Sequence, residues 1–209
     1  MKKVLMILLS LLLVAGLAGC DINKPKDVSI SSNWKDLEFI MGKEKYSFPL
    51  FFKDFANKGW SLEGDDDLSP GEYTDYVYIL YNDAFYDSKQ DQYAFVYVDF
   101  ENYGDKVQSI RKCNIWCVSL YRVDDLGNII NNCYEIELAK GIKWGSTKQE
   151  IISAYGEPVD ETANEYNGIT YVILRYLDNS NNENTIMYLY VFDNGGLSIV
   201  DLMRYPLEE

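Results

Sequence analysis

Six segments of the chain have the composition of β-strands, and they form two groups of three. The groups comprise residues 73–81, 92–101 and 107–121, and residues 169–177, 184–193 and 197–205. Turn-forming residues separate neighbouring segments, for example at positions 102–105 and 193–196. Because parallel strands need long crossover connections, these short turns predict antiparallel sheets.

Each group of strands follows a leading segment of similar pattern. Residues 38–60 align without a gap with residues 135–157, so that Phe39 corresponds to Ile136 and Gly59 to Gly156. We therefore predict an α+β fold of two tandem units, each a short helical segment packed on an antiparallel β-meander. The predicted first unit covers residues 34–131, and the second covers residues 132–209.

The predicted helix of the second unit has the clearer ends. Ser146 is expected to be the N-cap, Gln149 to complete a capping box, and Gly156 to end the helix. The first helix is expected to follow Ser47 and to end at Gly59. Its buried face is expected to consist of three phenylalanines: Phe51, Phe52 and Phe55.

The run GIKWGSTKQEIISAYGEP at residues 141–158 resembles the helical signature of the small lipoproteins of the outer-membrane β-barrel assembly complex. The doubled arrangement is similar to that of the β-lactamase inhibitory proteins, in which two α/β units share a curved sheet. The resemblance covers nearly all of residues 34–209. It implies that fold and a non-catalytic binding role. No inhibitory loop matches residue by residue, so no contact residue is carried over.

The first twenty residues predict a lipid anchor. Two lysines precede the apolar run at residues 4–17, as in a secretory signal peptide. The ending Leu17-Ala18-Gly19-Cys20 resembles a bacterial lipobox, in which the cysteine is lipidated and becomes the mature N-terminus. We expect Cys20 to attach the chain to the extracytoplasmic face of the cell membrane, with residues 21–33 as a flexible tether. The alternative is an ordinary cleaved signal with an incidental cysteine.

The charge of the chain restricts its partners. It carries 19 basic and 33 acidic residues, a net charge of −14, and it has no histidine. Such a chain repels nucleic acid and anionic lipid headgroups, and it suits cationic peptides, amine-bearing wall polymers or a basic protein patch. Plain solubility is the simpler explanation. The lack of histidine excludes His-dependent triads and His-ligated zinc, and we predict neither a cofactor nor a metal.

Three cysteines remain after Cys20. Cys113 and Cys117 would lie roughly 13 Å apart in one strand, which is too far for a disulfide. Cys133 follows a turn that could bring it near Cys117, so a disulfide between these two is left open. Burial as small apolar side chains is the alternative.

Alternation along the strands predicts an aromatic sheet face. The aliphatic sides of residues 93–100 and 186–193 suit contact with the helices, which leaves the aromatic sides exposed. The candidate binding residues are Tyr76, Tyr78, Tyr93, Phe95, Tyr97, Tyr188, Tyr190 and Phe192. Exposed aromatic clusters are typical of recognition surfaces. The alternative is that aromatic residues simply favour strands, or that another segment covers them.

These features predict a non-catalytic, surface-anchored lipoprotein that binds an extracellular protein or peptide through the aromatic face. The second hypothesis is a carbohydrate or cell-wall polymer binder that uses the same face. A hydrolase based on carboxylates is the third, because an acidic chain offers many carboxylates but no motif that selects a pair.

Overall fold

The computed structural model describes residues 28–74, 77–88, 92–124, 127–130 and 132–206, and these residues form mostly β-structure. Two α-helices occur among them, α1 (Phe52–Ala56) and α2 (Lys148–Tyr155). The strands are β1 (Glu38–Met41), β2 (Glu44–Ser47), β3 (Leu50–Phe51), β4 (Ser61–Leu62), β5 (Asp67–Leu68), β6 (Tyr78–Tyr81), β7 (Tyr86–Asp87), β8 (Gln92–Tyr93), β9 (Val96–Glu101), β10 (Gln108–Ser109), β11 (Asn114–Tyr121), β12 (Ile136–Leu138), β13 (Ile142–Lys143), β14 (Asp160–Tyr166), β15 (Ile169–Asp178), β16 (Glu183–Phe192) and β17 (Gly196–Pro206). Single 3₁₀ turns lie at Trp34–Asp36, Asp83–Phe85, Ile110–Lys112, Ala139–Gly141 and Ser180–Asn182.

One large antiparallel sheet contains strands from both halves of the chain. Its order is β14-β15-β16-β17-β11-β9-β6-β4, and β3 also pairs with β11. The halves meet where β11 pairs with β17, with Val118 opposite Leu202. Because β11 and β17 each end a meander, their pairing joins the two meanders into one sheet.

A smaller sheet is built from the leading segments of the two halves. Its order is β13-β12-β1-β2, and β1 pairs with β12 so that Phe39 lies opposite Leu138. Two further pairs, β10 with β5 and β7 with β8, complete the sheets.

The hydrophobic core fills the space between the large sheet and a layer made of the small sheet and the helices. Val98 and Leu189 of the large sheet, Phe39 of the small sheet, Phe55 of α1 and Ile151 of α2 all belong to this core, and each is fully buried. Burial of this apolar area is the main favourable contribution to folding. Alternate side chains of β9 and β16 face the opposite way, and Tyr97, Asp99, Tyr188 and Tyr190 among them are half-buried.

The predicted α+β fold class is wrong. The helices have only 5 and 8 residues, too few to cover a meander. The small sheet, whose strands β1 and β12 come from the two lead-ins before the helices, shares one hydrophobic core with the aliphatic face of the large sheet. An apolar lead-in of three or four residues buries its side chains better by pairing with its counterpart than by preceding a helix alone. The boundary between residues 131 and 132 stays a prediction.

The helix ends differ in detail from the prediction. Thr147, rather than Ser146, is the N-cap of α2, and its side chain accepts a hydrogen bond from the Glu150 N–H. The Glu150 carboxylate accepts from the Thr147 N–H in return, which completes a capping box. Ser146 is buried, and its hydroxyl accepts from the Lys143 N–H. Gly156 ends the helix as predicted.

The three strands predicted for the second half are confirmed, and β14 was missed. Residues 160–166 are mostly polar, yet β14 pairs along its full length with β15 through the turn at Asn167 and Gly168. An Asn-Gly pair is a strong hairpin signal and was the clue to this strand. In the first half, residues 107–121 divide into β10, a 3₁₀ turn and β11.

Part of the predicted tether contacts the folded body. The Ser31 N–H donates a hydrogen bond to the Glu38 carboxylate (2.7 Å), and Lys45 Nζ donates to the Ser29 carbonyl (3.1 Å). Cys20 lies outside the described residues, as does the rest of the tether before residue 28.

Candidate binding face of the large sheet

The register of the central strands brings side chains from both halves onto one face. Tyr97 of β9 pairs with Ser119 of β11, which pairs with Asp201 of β17, which pairs with Tyr188 of β16. Residues paired across strands point to the same side of a sheet. These four residues therefore form a row across the side of the large sheet that is opposite to the core.

A second row lies beside the first. Tyr121 of β11 pairs with Ile199 of β17, which pairs with Tyr190 of β16. Phe95 lies just before β9, and Phe192 ends β16 opposite Tyr171 of β15. We call this surface, which comprises both rows and the aromatic residues beside them, the open face.

The open face contains a groove of about 740 Å³. Its walls include six aromatic residues from the two halves: Phe95, Tyr97, Tyr121, Tyr171, Tyr190 and Phe192. The Tyr97 and Tyr121 ring centroids are 4.9 Å apart in an edge-to-face arrangement, and the Tyr171 and Phe192 rings stack at 4.9 Å. Val123 and Ile130, which flank the connection between the halves, border one end.

The hydroxyl group of Tyr134 holds the backbone beneath this groove. It donates a hydrogen bond to the Phe95 carbonyl (2.8 Å) and accepts one from the Tyr121 N–H (3.2 Å). These two groups follow the last pair of the β9–β11 ladder, Val96 with Leu120. The Tyr134 hydroxyl therefore replaces a ladder hydrogen bond and fixes the backbone that carries two groove aromatics.

Five of the eight candidate residues are half-buried: Tyr93, Phe95, Tyr97, Tyr188 and Tyr190. Phe95, Tyr97 and Tyr190 line the groove. Tyr93 lies beside it, in the β7–β8 pair, and its ring centroid is 5.9 Å from that of Phe95. Phe192 also lines the groove but is only 6% exposed.

Tyr78 does not belong to the open face. It pairs with Val98 and is 5% exposed, and its ring meets that of Phe100 edge-to-face in the core. Its neighbours Val77 and Ile79 are exposed. The alternation of residues 73–81 has apolar side chains on both sides, so it did not determine which side faces the core. Tyr76 lies outside the described residues.

A second groove of about 600 Å³ lies at the other end of the open face. Its lining includes Tyr188, Trp116 and Tyr205. The pairing of β11 with β9 is irregular between Ile115 and Cys117, which inserts Trp116 as an extra residue. The Trp116 and Tyr205 rings meet edge-to-face at 5.9 Å.

The polar centre of the open face is Asp201, which is 8% exposed. The Tyr190 hydroxyl donates a hydrogen bond to its Oδ2 atom (2.8 Å). Its Oδ1 atom makes no hydrogen bond to any residue that the structure describes. Burial raises the pKa of Asp201, and the neighbouring Ser119 and Tyr190 hydroxyls partly offset this effect.

Two further acidic groups accompany Asp201. Burial raises the pKa of Asp99, the charge of Asp201 raises it further, and the Cys117 thiol lowers it in part. Burial raises the pKa of Cys117 well above its ordinary value, and the charges of Asp201 and Asp99 act in the same direction. Within the described part of the chain, neither carboxylate forms an ion pair.

The sequence did not single out Ser119, Tyr121, Tyr171 or Asp201. The available signal for Asp201 was an acid within the apolar run at residues 197–203. Cys113, Cys117 and Cys133 are all free thiols, which answers the question left open for Cys117 and Cys133. Among the described residues, no group of three or more cysteine, aspartate or glutamate side chains is arranged to bind a metal ion.

Comparisons of the chain with protein-family models, curated proteins and solved structures gave no match. The resemblance stated from residues 141–158 therefore stays a prediction. No helix in the described ranges has the length and apolar character needed to cross a bilayer.

Proposed function

We propose that this chain is a non-catalytic binding protein, held at the extracytoplasmic membrane face by a lipid on Cys20, that binds an extracellular protein or peptide through the open face. The observation that carries the proposal is the aromatic groove, to which the strands β15, β16, β11 and β9 and the segment just before β9 contribute rings, most of them half-buried. Lipid attachment rests on the lipobox-like sequence alone.

The open face has the composition of an interface. Tyrosine combines a large apolar ring with a polar hydroxyl, so it tolerates water in the free protein and adds contact area in a complex. The rings project from paired strands, so their backbones are fixed before a partner arrives. A preorganised surface loses less conformational entropy on binding.

The titratable groups favour binding over catalysis. A catalytic cysteine needs a lowered pKa, whereas burial raises the pKa of Cys117 and raises that of Cys133 to about 12. The raised pKa values of Asp99 and Asp201 do not by themselves indicate catalysis, since buried carboxylates that hold a ligand have them too.

Carbohydrate binding is the second candidate. The Tyr190 and Ser119 hydroxyls and the Asp201 carboxylate lie beside aromatic rings, and sugars need both hydrogen-bonding groups and apolar ring contacts. The polar groups are few compared with the apolar area, so a protein or peptide segment fits better.

The test is to screen the full chain against a random-peptide display library and a glycan array. Tyr97→Ala and Tyr190→Ala should each weaken a selected ligand by about 30-fold or more, because central aromatic residues dominate interface energies. The matched control is Phe52→Ala, a half-buried aromatic residue of α1 outside the open face.

The glycan array distinguishes the two candidates. Binders found only among glycans would favour the carbohydrate hypothesis. Peptide ligands whose affinity is the same for wild type, Tyr97→Ala and Tyr190→Ala would show that binding does not use the open face.

A further inference from the structure

Asp201 has an unused hydrogen-bond acceptor beneath the open face. One carboxylate oxygen accepts from Tyr190, and the other has no donor in hydrogen-bonding geometry among the described residues, although the Ser119 hydroxyl is near enough to lower the pKa of the group in part. A buried carboxylate oxygen without a donor is costly, and a donor brought by a ligand would remove that cost. A cationic donor would compensate the charge as well.

The surroundings of Asp201 suit a cation with an apolar stem. Tyr188 and Tyr190 lie on the neighbouring strand β16, and Tyr97 lies two strands away on the other side. Tyrosine ring faces attract ammonium and guanidinium groups, and they also pack against methylene chains. Asp99 on β9 adds a second carboxyl group that is sensitive to the charge of Asp201.

Within the described part of the chain, no cationic side chain forms an ion pair with Asp201. Cys117 and Ser119 of β11 are neutral side chains at ordinary pH, and the pKa of the Cys117 thiol is raised. Arg175 of β15 pairs with Tyr188, so it lies two strands, roughly 10 Å, from Asp201. It forms no ion pair with Asp201.

The charge of the whole chain points to the same kind of partner. The net charge is −14, which attracts cationic segments and repels a second copy of this chain. Electrostatic complementarity of this kind mainly raises the association rate and excludes acidic partners. The local acceptor and the overall field therefore favour the same ligand chemistry.

We infer that the occupant of the open face is a peptide segment with a basic side chain, whose ammonium or guanidinium group pairs with Asp201 and whose methylene stem packs on the neighbouring tyrosines. This inference rests on the proposed function, because it names the partner of the same surface.

The experiment selects random displayed peptides on the full wild-type chain and then measures affinities of one selected peptide. The peptide is also made with norleucine in place of its lysine, or citrulline in place of its arginine. On wild type, this neutral replacement should lower affinity by more than about tenfold, as expected for a charge-assisted contact. When the same two peptides are measured on the Asp201→Asn variant, the neutral replacement should change affinity by less than about twofold, since the charge partner is gone.

The matched control is Glu165→Gln. Glu165 is exposed on β14, and its variant makes the same change in net charge without touching the open face. It should discriminate between the charged and neutral peptides as wild type does. Thermal unfolding of each variant checks that it is folded, and the peptide replacement measured on wild type needs no protein variant.

Three results would overturn the inference in distinguishable ways. Selected peptides without a basic residue that still depend on Tyr97 and Tyr190 would refute the cationic partner and leave the proposed function standing. Basic peptides that bind Asp201→Asn as tightly as wild type would place the cation elsewhere. Peptides whose affinity is the same for wild type, Tyr97→Ala, Tyr190→Ala and Asp201→Asn would refute both proposals.

Discussion

Replacing Tyr134 by phenylalanine tests whether its hydroxyl holds the floor of the groove. The side chain is 1% exposed, and its ring meets Trp60 and Phe85 edge-to-face at 5.7 and 5.6 Å. Phenylalanine keeps these ring contacts and removes one oxygen. The variant therefore isolates the two hydrogen bonds to Phe95 and Tyr121.

The expected cost follows from the groups left without partners. Each buried polar group that loses its hydrogen bond costs about 1–3 kcal/mol. Both hydrogen bonds of the Tyr134 hydroxyl are only partly buried, so water satisfies some of the deficit. We expect a total loss of about 2–3 kcal/mol in the free energy of unfolding. For a chain of this size that corresponds to about 4–12 °C in Tm.

Urea unfolding followed by tryptophan fluorescence measures this loss. The matched control is Tyr73→Phe, because Tyr73 is 60% exposed and its variant should change stability by less than about 0.5 kcal/mol. If Tyr134→Phe were also within about 0.5 kcal/mol of wild type, the hydroxyl would not support the groove backbone and our reasoning would be wrong.

Two further predictions concern Asp201 and Gly196. Burial raises the pKa of Asp201, so its contribution to stability is greatest at low pH and is lost as pH rises through the folded pKa. In urea unfolding, Asp201→Asn should therefore be more stable than wild type by about 1 kcal/mol or more at pH 8 and equal to it at about pH 3. A variant less stable than wild type at pH 8 would contradict this. A Cβ atom on Gly196, which has φ +66°, would lie 2.4 Å from the Gly145 carbonyl oxygen, so Gly196→Ala should cost about 2–4 kcal/mol in the same assay. Gly168→Ala is its control, because φ is +77° there and nothing lies within 4 Å of the added atom, so an equal cost for both would show that backbone strain alone is responsible.

Strand positions in the second half were predictable because one side of β16 is apolar over residues 187–191. Met187, Leu189 and Val191 are all buried, and the residues between them are mainly aromatic. In the first half, Tyr78 was assigned to the wrong face because its neighbours are apolar on both sides. Its pairing with Val98 decides the matter, and that contact is not visible in a local pattern.

The fold class could not be derived from the repeated pattern of the leading segments. Similar apolar lead-ins at residues 38–41 and 136–138 indicate similar local structure, but they do not say which strands pair. In the structure the two lead-ins pair with each other across nearly a hundred residues of sequence. Long-range pairing depends on the burial of the whole assembly, whereas helix propensity over 5 or 8 residues contributes little.

Asp201 links the stability prediction to the proposed binding role. It interrupts an apolar strand, and its burial leaves one carboxylate oxygen without a partner among the described residues. A residue chosen only for stability at this position would be apolar or neutral. If Asp201→Asn both stabilises the chain at pH 8 and loses discrimination for a basic peptide, the carboxylate destabilises the free protein and is retained for its ligand. If the variant stabilises the chain and binds unchanged, Asp201 is a buried acid without a role in recognition, and the tyrosines alone would define the surface.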